Sequence, residues 1–149
     1  MLDAPLNNFA VVRPYDDAFR RQVVRVLHGL RYAPVALCEP KTSDDDAVAF
    51  LRDQNPLPDL VLMPFHEHTS HDGAAIDGLN VFLRLPEAYV DRGVRVVMPV
   101  SDFAWNSKFA RRQQEVLSQR PELERLLVPV PPAQLNAAFL SGALGQPTR

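Results

Sequence analysis

Three of the chain's four histidines fall within one short run, His66-Glu67-His68-Thr69-Ser70-His71-Asp72. Imidazole nitrogens clustered in this way can share one zinc or nickel ion, so His66, His68 and His71 are the candidate metal ligands. The plainer alternative is a solvated polar loop whose histidines hold nothing, with no cofactor at all. Asp16-Asp17 and Ser101-Asp102 are the other groups with oxygen chemistry. Asp44-Asp45-Asp46 follows Ser43 at a helix start, where carboxylates complement the helix dipole. The single cysteine, Cys38, ends an apolar run, and a buried inert thiol is the expectation there. With six glycines and no G-x-G-x-x-G or Walker pattern, neither a dinucleotide nor a P-loop nucleotide is expected.

These groups need a frame. At 149 residues, 46% hydrophobic and 23% charged, the chain has the composition of one soluble domain with a real core. A net charge of −2 leaves no electrostatic footprint for nucleic acid or an anionic membrane. No leader opens the chain and no apolar run approaches the length of a membrane span, so a cytoplasmic location is expected.

The apolar runs are short and punctuated by proline. Asn8 to Arg13 reads as a first strand stopped by Pro14, and Ala33 to Cys38 as a second. Asp59 to Met63, between Pro58 and Pro64, reads as a central strand buried on both faces. Val94 to Val100 and Leu126 to Val130 complete five. Between them lie helical patterns. Asp16 or Asp17 caps a helix to about Leu30, and Ser43 caps another to about Gln54. Gly78 to Leu85 is helical and Pro86 kinks or restarts it before Gly93. Asn106 or Ser107 caps a helix to about Gln119, and a last helix runs from Pro132 to about Leu144. Residues 1–7 and 145–149 are expected to fray. The alternation predicts a single flavodoxin-like (βα)5 domain. Its parallel five-stranded sheet has the order 2-1-3-4-5, with helices on both faces and right-handed crossovers. Ligands in such sheets bind beyond the carboxyl ends of the strands.

Several stretches then resemble the receiver domain of two-component response regulators, the CheY-like family. They are Asp59-Leu-Val-Leu-Met63, Asp77-Gly78-Leu79 with Val81-Phe82-Leu83, Val96-Val97-Met98-Pro99-Val100-Ser101, and Leu127-Val128-Pro129-Val130 with Leu135. Their order and spacing span nearly the whole chain. The resemblance implies a phosphoryl-accepting aspartate after strand 3, an acidic pair after strand 1 holding Mg²⁺, a lysine after strand 5 and a Ser or Thr after strand 4. Those positions fall on Pro64, on Arg13 and Pro14, on Val128 and on Ser101. Only the serine is retained, although Asp16 and Asp17 lie just beyond Pro14. The resemblance is therefore to a degenerate receiver, a pseudo-receiver, for which phosphotransfer is not expected.

The histidine run also resembles the H-x-H-x-D-H loop of the metallo-β-lactamase fold, but Ser70 stands where that family has aspartate and no histidine follows His71. Phe103 and Trp105, in the segment after strand 4, and Leu135 and Phe139, in the last helix, are candidate partner-binding residues. The reading is a regulatory module for signal transduction that binds a protein partner, or a second copy of itself, without phosphorylation. Its rival is a small metal-binding protein or metal-dependent enzyme built on the histidine run. A third reading, a module excised from a longer regulator, stays open.

Overall fold

The computed structural model describes residues 7–14, 16–29, 32–38, 42–65, 67–69, 75–136 and 138–139. In chain order the first half comprises β1 (Asn7–Val12), α1 (Asp17–Gly29), β2 (Tyr32–Cys38), α2 (Asp44–Arg52) and β3 (Leu60–Leu62). A hairpin follows, β4 (Glu67–Thr69) and β5 (Ala75–Asp77), then α3 (Gly78–Leu83), α4 (Glu87–Arg92) and β6 (Arg95–Pro99). A helix then opens as α5 (Asp102–Ala104), passes through a π-helical stretch at Trp105–Phe109 and continues as α6 (Ala110–Gln119). A 3₁₀ turn at Pro121–Leu126 leads into β7 (Leu127–Val130), and a second spans Pro132–Gln134.

The main sheet has the order β2-β1-β3-β6-β7 and every pairing in it is parallel. This is the 2-1-3-4-5 winding of a flavodoxin-like α/β domain, as the alternation of elements predicts. Strand side chains alternate between two cores, because successive residues point to opposite faces of a pleated sheet. Ala10, Val12, Val61, Met63, Val96 and Met98 pack with residues of α2, α3, α4 and α6. Phe9, Val11, Leu60, Leu62 and Val97 face the other way, against Val23 of α1 and Leu135 near the carboxyl end of the described chain. Leu60, Val61 and Leu62 are all fully buried, so a sheet covered on both faces explains why the central strand shows no polar alternation.

Local signals set most boundaries. Asp16 Oδ1 accepts the Phe19 N–H at 2.8 Å, and Ser43 Oγ accepts the Asp46 N–H at 3.1 Å. Pro86 is the N-cap of α4, so the chain restarts there instead of kinking. Gly93 ends α4 with φ of 71°, a left-handed conformation that a residue with a Cβ enters at some cost.

Three expectations are corrected. The segment after Pro64 contains the antiparallel pair β4–β5, with Glu67 opposite Asp77 and Thr69 opposite Ala75. The helix expected from a cap at Asn106 or Ser107 is capped earlier in the chain, at Ser101. Ser101 Oγ accepts the Ala104 N–H at 3.1 Å, so Ser101-Asp102, directly after the strand, is the start signal. The last helix does not begin at Pro132. Pro132–Gln134 is a 3₁₀ turn, and a new turn opens where Asn136 Oδ1 accepts the Phe139 N–H at 2.9 Å. Residues 137 and 140–144 of that expected helix lie outside the described residues.

Candidate functional site

The carboxyl ends of β1, β3, β6 and β7 line up at one edge of the sheet. Val11 pairs with Leu62, Leu62 with Val97, and Pro99 with Val130. The ladder continues past β3, with the Phe65 N–H on the Pro99 carbonyl at 2.9 Å. Two residues on from Val11 and Leu62, this brings Arg13, Pro64, Pro99 and Val130 to one row. Val128 pairs with Val97, so it sits two residues short of that row and packs on the core that faces α1.

Arg13 is the unusual member. It is fully buried, and its backbone has φ of 52°, which is rare for a residue with a long side chain. Its backbone N–H still reaches the Cys38 carbonyl at 2.8 Å, which extends the β1–β2 ladder by one bond. The guanidinium Nη1 donates to Asp44 Oδ1 at 2.8 Å and to the Thr42 carbonyl at 3.0 Å. Asp44 is only 5% exposed. A charge this deep needs a partner, and each side chain supplies the other's. Asp44 thus does more than complement the α2 dipole; Asp45, which pairs with Arg84 at the surface, fits that simpler description.

Both Asp44 oxygens are engaged further. Oδ1 accepts the Asp77 backbone N–H at 2.9 Å, and Oδ2 accepts Asn80 Nδ2 at 2.8 Å. The Asp77 carboxylate in turn caps α3, taking the Leu79 N–H at 2.9 Å, and its other oxygen holds Arg112 of α6. Partial burial works against the Arg112 charge. The bonds and charges of Asp77, and then of Glu115, outweigh it and hold the guanidinium above its ordinary pKa. A line of charged groups therefore runs from the end of β1, through the starts of α2 and α3, to α6, with the two aspartates in its middle joined by the Asp77 backbone N–H and each paired to an arginine at its outer side.

A second line is aromatic. Phe65, just after Pro64, meets Phe109 edge-on with ring centroids 5.3 Å apart. Phe109 stacks under Trp105 at 5.2 Å. Phe65 and Phe109 are buried, while Trp105 is 40% exposed. It is the one large hydrophobic side chain so exposed among the described residues.

The edge thus brings Arg13, Pro14, Pro64 and Ser101 together. Pro14 and Pro64 are buried, whereas Ser101 is exposed and caps α5 with its hydroxyl oxygen. Asp16 and Asp17 are exposed and engaged locally, Asp16 as a cap and Asp17 with Arg20 and Arg21. Of the candidate contact residues, Trp105 lies in the π-helical stretch and Phe103 in α5, its side chain outside the description. Leu135 is 7% exposed and Phe139 is half-buried against the α1-facing core. Both side chains are engaged within the domain. His66 and His71 lie outside the described residues, as does the side chain of His68 on β4. Among the described residues, no three His, Cys, Asp or Glu side chains converge as a metal group.

No protein-family model matches the chain, and no curated protein matches it either. The winding and the chemistry of the sheet edge therefore carry the functional argument.

The pairing of Arg13 with Asp44 was not legible from spacing. The two residues are 31 positions apart, and no periodicity links them. The available signal was narrower: an arginine closing an otherwise apolar strand calls for a buried counter-charge.

Proposed function

We propose that the chain is a receiver-like regulatory module, a pseudo-receiver in signal transduction, that acts by protein contact and not by phosphoryl transfer. The observation that carries this reading is the buried Arg13 guanidinium at the end of β1, seated on Asp44, beside the buried Pro64 at the end of β3. Phosphoryl acceptance at such an edge needs a carboxylate nucleophile and oxygen ligands for a hard cation. Proline has no side-chain nucleophile, and a guanidinium repels a cation.

Support for a contact role comes from Trp105, exposed yet stacked on the buried Phe109. An aromatic held in place by a buried ring loses little freedom on binding, which suits an interface anchor. A second copy of the chain is the simplest partner to test.

Incubation with acetyl phosphate and Mg²⁺, read by intact mass, tests the first half. No phosphoryl adduct is expected, and a stoichiometric adduct overturns the proposal. Sedimentation across a concentration series tests the second. A dimer that Trp105→Ala converts to monomer supports self-contact through this face. A wild-type chain that stays monomeric at high concentration removes the homodimer.

A further inference from the structure

The position of one nitrogen makes the edge more specific. Arg13 Nη1 sits where two oxygens converge, the Thr42 carbonyl at 3.0 Å and Asp44 Oδ1 at 2.8 Å. A carboxylate and a carbonyl are hard oxygen donors of the kind that divalent cations take from proteins, with water completing the shell. The guanidinium brings positive charge to that point from inside the chain. It does so through a backbone at φ of 52°, a conformation that glycine adopts freely and that arginine does not.

We propose that Arg13 is the resident cation of this edge. Its guanidinium holds the starts of α2 and α3 as a bound metal would, and its removal uncovers an oxygen site for a hard divalent cation. The inference rests on the reading of the wild-type edge as closed to phosphoryl chemistry, and it adds the reason for the closure. Asp44 is the pivot. Without Arg13 its charge stays buried, supported among the described residues by the neutral donors of Asp77 and Asn80. A buried carboxylate in that state favours any cation that can reach it.

Arg13→Gly is the decisive variant, because glycine suits the backbone while deleting the charge. Thermal unfolding of wild type, R13G, R13K and the double variant R13G/D44N is followed with and without millimolar Mn²⁺, Mg²⁺ or Ca²⁺. Wild type and R13K are expected to show no cation response. R13G is expected to lose several degrees in Tm and to regain them saturably with cation, with one Mn²⁺ bound per chain by calorimetry. R13G/D44N, which lacks both charges, is expected to fold without a cation response. If R13G alone is unfolded, addition of Mn²⁺ must restore its dispersed amide spectrum.

An R13G chain that neither binds nor responds to any of the three ions overturns the inference. A response that persists in R13G/D44N also overturns it, because the site is then elsewhere. Neither result touches the reading of the wild-type edge as closed to phosphoryl chemistry, which is tested on the wild-type protein itself.

Discussion

At the scale of single residues, the polar groups that matter most are the buried ones with long-range partners. Tyr89 is fully buried, and its hydroxyl donates to the Leu51 carbonyl at 2.5 Å, which ties α4 to the end of α2. Tyr89→Phe keeps the ring and removes the bond. A loss of about 1 kcal/mol is expected in urea unfolding, because the Leu51 carbonyl keeps a contact from Gln54. Burial raises the Tyr89 pKa above its ordinary value near 10. The folded state therefore holds this proton more tightly than the unfolded state. The stability linked to it is complete below about pH 10 and is lost as pH rises toward the folded pKa. Wild type should lose stability faster than Tyr89→Phe above pH 10, and equal slopes would contradict this.

The residue scale is also where the sequence was least informative. Ser43 and Asp16 were legible as caps, since capping is a local matter of side chain and nearby N–H groups. Asp44, in the same acidic run as Asp45 and Asp46, is distinguished by partners distant in sequence, Arg13 at the end of β1 and Asp77 and Asn80 at the start of α3. Asp77 was legible as part of an Asp-Gly-Leu opening. Its hold on Arg112 was not, because that contact depends on where α6 lies.

At the scale of elements, two helix starts allow a graded comparison. Ser101 caps α5 at the exposed edge, and Ser101→Ala is expected to cost about 1 kcal/mol. Asp77 caps α3 and also anchors α6. Asp77→Ala is therefore expected to cost clearly more, roughly 2 to 4 kcal/mol, with Asp77→Asn in between because an amide oxygen still caps. Chemical unfolding of the three variants tests the ranking. A Ser101 cost equal to that of Asp77→Ala would mean that Arg112 adds nothing.

Element existence and order were readable because each strand is an apolar run bounded by proline or glycine. Three elements were not. β4 and β5 are three residues each, too short for an alternation to register. The π-helical stretch at Trp105–Phe109 has no sequence signature of its own. It places Trp105 over Phe109, and with Arg112 on Asp77 it lies between an aromatic and an ionic anchor.

At the scale of the whole molecule, the sheet carries the stability and its carboxyl edge is where the proposed function is placed. Leu62 lies at the centre of the sheet, fully buried in the core that faces α1. Leu62→Ala is expected to cost about 2 to 5 kcal/mol, by cavity formation, and to lower the urea midpoint accordingly. The same winding that buries Leu62 brings Arg13, Pro64, Pro99 and Val130 to one row, so the fold presents a site-like edge whatever chemistry occupies it. Here the occupants are a paired guanidinium and closed rings.

The most direct test of that claim is an amide NMR spectrum of the wild-type protein, with and without Mg²⁺ and beryllofluoride as a phosphoryl mimic. The account predicts no saturable shift at Arg13, Phe65, Ser101 or Val130. Saturable shifts at those strand ends would contradict it, and would mean that the edge senses a phosphoryl group despite Arg13 and Pro64.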